Sequence, residues 1–74
     1  MSTPDPVSWK VVESGWNVLD EDGNHVGHVN EITGDPEADI FDGVEISHGL
    51  LSETEYVPSE RVVDIREGEV IIKR

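Results

Sequence analysis

The sequence predicts a small all-β domain, a β-barrel of five to six short antiparallel strands. Two observations carry that reading. No window sustains apolar residues at i, i+3, i+4 and i+7 over three turns, as an amphipathic helix requires. Instead, short runs rich in Val and Ile are interrupted at intervals by Gly, Asp and Pro, the punctuation of strands and turns. With 74 residues there is room for one core only, so residues 7–74 are expected to form a single domain. Residues 1–6 hold two prolines and are expected to form a mobile lead.

Val7 to Glu13 is expected to be extended. Gly15 to Leu19 alternates, with Trp16 and Val18 on one face and Asn17 on the other, which marks Trp16 as the aromatic around which the sheet curls. Asp20-Glu21-Asp22-Gly23-Asn24 is a hairpin turn, because Asp-Gly supplies the positive φ angles tight turns need. His25 to Ile32 returns as a strand. Its apolar residues, Val26, Val29 and Ile32, fall three apart, which strict alternation cannot place on one face. A bulge near Gly27 resolves this and bends the strand, as a closing sheet requires.

Thr33 to Asp39 is expected to be a loop around Gly34-Asp35-Pro36. Asp39 to Ser47 alternates again, with Ile40, Val44 and Ile46 on one face and Asp42 the exception. Gly49 and Ser52 to Glu55 mark a further turn. Tyr56-Val57 is a short strand ended by Pro58, which lacks the donor to continue a ladder. Ser59-Glu60-Arg61 suits a single helical turn. Val62 to Arg66 and Val70 to Lys73 form a hairpin across Glu67-Gly68-Glu69. The Val70 to Lys73 strand has few charges, which marks it as an edge open to pairing with a second copy.

The order of these signals resembles the PRC-barrel family. The residues that carry the likeness are Asp22-Gly23 followed by Val26-Gly27-His28-Val29, then Val44 to Gly49. They continue with Tyr56-Val57-Pro58 leading to Val62-Val63-Asp64, and close on Val70-Ile71-Ile72. The resemblance runs from Gly15 onward. It implies a non-catalytic docking module, as in the photosynthetic reaction-centre H subunit or a bacterial ribosome-maturation factor, and by that analogy a ribosome-assembly accessory. It carries over no catalytic or ligand residue.

Charge excludes several functions. Five bases against seventeen acids give a net charge of −12, and Val11 to Glu60 contains thirteen acids and neither Lys nor Arg. Phosphate backbones are bound by releasing counterions with Lys and Arg, so nucleic acid is not expected as a partner. Anionic membrane surfaces are disfavoured by the same sign. A basic protein, a second copy, or a loosely held cation is the expected partner, and adaptation to salt is the competing use of such acidity. With no cysteine, disulfides and thiolate chemistry are absent. The sequence start has neither the positive flank nor the apolar stretch of a signal peptide, which predicts a cytoplasmic protein.

Candidate sites are few. Asp20, Asp22, Asn24, His28 and Glu31 match the ligand spacing of a calcium loop, but His25 stands where that loop needs glycine, and its flanks read as strands. His25, His28 and His48 with nearby carboxylates form the other metal candidates. Ser47 and His48 are adjacent, yet neighbours on a strand point to opposite faces and share no proton. No enzymatic activity and no cofactor are expected of so small a core. Trp9, beside Lys10, serves either the core or a partner surface.

Overall fold

The computed structural model describes residues 8–48 and 53–74. Among the described residues six strands follow one another: β1 (Asn17–Asp20), β2 (His25–Asp35), β3 (Ile40–Ser47), β4 (Thr54–Pro58), β5 (Val62–Arg66) and β6 (Glu69–Ile72). A 3₁₀ turn at Trp9–Val11 precedes them and another at Ser59–Arg61 joins β4 to β5. The strands form one sheet in the order β4-β3-β2-β1-β6-β5. Among the described residues no helix is long and apolar enough to cross a membrane.

That order obliges the sheet to curl. Were it flat, β4 and β5 would lie five strand spacings apart, about 24 Å. They are joined by Ser59–Arg61 alone, and three residues of 3₁₀ turn cover only about 6–8 Å. The ends of the sheet therefore come round toward each other. The Lys73 N–H, just past β6, donates to the Arg61 carbonyl at 2.8 Å and ties the linker to the sheet.

Bulges produce the bend. Val18 pairs with Gly27 and Leu19 with His25, so Val26 is an extra residue on β2, at the place the apolar spacing predicts. Val29 and Glu31 face the consecutive residues Ile46 and Glu45, which makes Asn30 a second extra residue. With two extra residues, Val26, Val29 and Ile32 all pack against the core despite their spacing of three. Gly27 sits where β2 runs close to β3: a Cβ there would overlap the Ser47 carbonyl and the Ile46 side chain. The β1–β2 turn is held by Asp20, whose Oδ1 accepts from the N–H groups of Asp22 and Asn24, both at 2.9 Å, while Gly23 takes φ +88°.

Several expectations are corrected by the structure. Within the span expected to be extended, Val7 to Glu13, Trp9–Val11 is instead a 3₁₀ turn capped by Ser8, whose side chain accepts from the Lys10 N–H at 3.2 Å, while Val7 lies outside the described residues. The loop over Thr33 to Asp39 shrinks to a tight turn, because β2 runs on to Asp35. There Asp35 Oδ1 accepts from the N–H groups of Glu37 and Ala38, and Asp39 takes φ +57°. Asp42 is then the extra residue on β3, between partners of Thr33 and Gly34. This slip of one residue turns Ile40 outward, 54 % exposed, while Val44 and Ile46 are fully buried. Finally, β6 is not an edge. It lies between β1 and β5 and pairs with β1 in parallel, the exception in an otherwise antiparallel sheet. The free edges are β4 and β5.

The core is aliphatic. Val12, Val18, Val29, Val44, Ile46, Val57, Val70 and Ile72 are buried, and Trp16, expected at the centre, is half-buried against their rim. The reason is volume. Val and Ile from facing strands already fill the space a short curled sheet encloses, and an indole does not fit among them.

Candidate docking surface

The segment before β1 lies across the sheet and builds the surface from its own short-range bonds. The Val11 N–H donates to the Ser8 carbonyl and the Val12 N–H to the Trp9 carbonyl, at 3.1 and 3.2 Å. Val12 enters the core, which fixes the turn and throws Trp9 and Val11 onto the surface. Trp9 stacks on Phe41, ring centroids 5.3 Å apart and planes 16° off parallel. Its Nε1–H donates to Asp39 Oδ1 at 3.2 Å, and Lys10 Nζ approaches the same oxygen at 3.5 Å. The Asp39 bond thus orients the indole, and Lys10 pairs with the same carboxylate.

Beside this pair runs a groove of about 350 Å³, with Trp9, Phe41, Val62, Val63 and Ile65 among its walls. Its far side is the free edge of β5. Val62 and Asp64 face the consecutive residues Ile72 and Ile71, so Val63 is an extra residue, bulged and 54 % exposed. Asp64 Oδ1 accepts from the Ile65 N–H at 2.9 Å, and its Oδ2 pairs with Arg66 Nε at 2.8 Å. A bulge and a self-capped donor make β5 a poor template for an added strand. What this edge offers a partner is side-chain area.

The acidic turn is organised differently. Besides the two main-chain bonds to Oδ1, Asp20 Oδ2 accepts from Asn24 Nδ2 at 3.3 Å. The Asn24 main-chain N–H, and after it the other turn donors, hold the Asp20 carboxyl below its ordinary value. Both its oxygens therefore serve the turn. His25 Nε2 lies 3.2 Å from Asn17 Oδ1, and the His25 and His28 rings meet edge to face at 4.9 Å, brought together by the bulge between them. Asp22 is exposed, with its main-chain N–H bonded to Asp20. Among the described residues no group of three or more metal-ligating side chains converges.

Glu55 on β4 gathers a second set of charges that the sequence gives no sign of. His48 Nε2 is 3.0 Å from Oε1, Arg74 Nη1 3.3 Å, and Arg61 Nη1 3.9 Å from Oε2. Partial burial opposes ionisation of this carboxyl, but the His48 hydrogen bond and the Arg74 charge together outweigh it and lower its pKa. Ser47 turns the other way from His48, its Oγ directed at the His28 carbonyl 3.5 Å away. The two do not form a nucleophile and base.

The sheet is thus curled and six-stranded, bulged after an Asp-Gly turn and ended by a valine-rich hairpin. The family model of the PRC-barrel domain matches residues 14–74. The chain belongs to the PRC-barrel family. No curated protein matches it. Within this PRC-barrel, the matched span begins after the turn that carries Trp9, so one wall of the groove comes from residues outside the matched span. Phe41 as the partner of Trp9, and Val63 as an exposed bulge, were beyond sequence reasoning. Each depends on contacts between residues far apart in the chain.

Proposed function

We propose that this PRC-barrel is a non-catalytic docking module that binds a basic protein partner through the groove between Trp9, Phe41 and β5. The observation that carries this reading is the Trp9–Phe41 stack facing the bulged Val63. Aromatic side chains held rigid at the surface lose little entropy on binding, which is why Trp is enriched at the energetic centres of interfaces. A net charge of −12 on each chain disfavours a second copy in the groove and favours a partner of opposite sign, whose approach it accelerates.

Affinity capture with three baits tests the proposal: the parent chain, Trp9→Ala and Val63→Glu. A partner held by the parent and lost with Val63→Glu, whose own fold is unaltered, is the expected result. A partner retained equally by all three baits would place the contact elsewhere.

A further inference from the structure

We propose that a second groove, beside Trp16, takes the guanidinium group of an arginine side chain carried by the docking partner; this rests on the docking reading and names the chemistry that it recognises. The groove measures about 600 Å³ and is lined by Val11, Glu13, Trp16, Glu67 and Gly68. It borders the same turn and the same β5–β6 hairpin as the Trp9 groove, so one partner can reach both.

Main-chain bonds hold the backbone of the groove. The Trp16 N–H donates to the Glu13 carbonyl at 3.3 Å, and the Asn17 N–H donates to the Gly68 carbonyl at 3.0 Å. The Trp16 carbonyl accepts from the Val29 N–H at 2.7 Å, and the Gly15 N–H donates to the Val29 carbonyl, also at 2.7 Å. Main-chain bonds thus fix the indole's anchor between the residue that carries one carboxylate and the turn that carries the other. The half-buried indole and Val11, itself 51 % exposed, supply apolar walls.

Charge selects the occupant. Glu13 and Glu67 are the charged side chains that line the groove, and among the described residues no Lys, Arg or His lies within ion-pair distance of either. The bases closest to them in the chain are engaged elsewhere, Lys10 with Asp39 and Arg66 with Asp64. An anion is repelled, and a purely apolar group would strip water from two carboxylates without replacing it. A cation over an indole face is attracted by the ring's quadrupole. Guanidinium fits better than ammonium because it is flat, weakly hydrated, and donates from its edges while its face stacks.

The two indole N–H resonances of the intact protein read the outcome separately in a titration with acetyl-arginine amide. The expected result is a saturable shift of the Trp16 resonance with Trp9 left in place. Acetyl-citrulline amide, the neutral isostere, gives no such shift, and Glu13→Gln with Glu67→Gln weakens the response at least about tenfold while the parent melting temperature is retained. An equal response to citrulline, to sodium chloride at matched ionic strength, or in the double variant would overturn the assignment. No Trp16 response, with capture still lost in Val63→Glu, strikes the arginine site alone. A Trp16 response with capture untouched by Val63→Glu strikes the Trp9 groove alone.

Discussion

The inside of the curled sheet and the flank laid over it by residues 8–16 are built on opposite plans. Inside, Val18, Val44, Ile46, Val57, Val70 and Ile72 are fully buried, β-branched and of nearly equal size. On the flank, Trp9, Val11 and Trp16 are half-buried or exposed, each on the wall of a groove. The difference separates stability from recognition. Stiff aliphatics filling a small enclosure hold the fold, which leaves both indoles for the surface.

Substitutions on the two sides sharpen that contrast. Ile46→Ala empties the centre of the sheet and is expected to cost about 3 kcal/mol. A domain of this length has a total stability of roughly 4–11 kcal/mol, so urea melts should show the variant near the edge of folding. Gly27→Ala acts on the same contact from the other strand, forcing a methyl against the Ser47 carbonyl and Ile46. A loss of about 2 kcal/mol is expected, and combined with Ile46→Ala the two should be non-additive. If they simply add, the close approach of β2 and β3 is not where the strain falls.

On the flank, Trp9→Ala removes the Phe41 stack and the Asp39 bond. It should cost about 1 kcal/mol, well below the core variants, because the ring is only half-buried. A loss as large as that of Ile46→Ala would break the contrast and place Trp9 among the fold's main supports. The smallest effect is expected at Glu55→Gln, about 0.5 kcal/mol for a solvent-accessible cluster. Its sign with pH is fixed by the lowered pKa of the folded state. The carboxylate stabilises the fold above its ordinary value of 4.5, and that contribution is lost as pH falls through the lower folded value. Melting temperatures of parent and Glu55→Gln should converge in acid and separate at neutral pH, less so in high salt.

Much of this was legible in the residues. The Asp20 to Asn24 turn, the bulge near Gly27, the strand ended by Pro58, and the β5–β6 hairpin each follow from chemistry within a few positions. Backbone preferences and apolar spacing report such things directly. The mobile lead expected over residues 1–6 and, of the turn expected at Gly49 and Ser52 to Glu55, residues 49–52 lie outside the described residues; Thr54 and Glu55, expected in that turn, instead open β4 against β3. The placing of Ile40 failed for a definite reason. An extra residue at Asp42 reverses every side chain before it, and a bulge is chosen by the partner strand.

By itself, then, the sequence determined an all-β chain, its turns, its acidity, and a set of valines and isoleucines large enough to close one small core. Tertiary structure alone decided that β6 runs beside β1 in parallel at the interior of the sheet and that Trp16 stands at the rim. It also decided that Trp9 meets Phe41 across thirty-two positions of chain. Local preferences act over a turn or two, whereas strand order and the space left for a ring are set only when distant segments compete for one enclosure.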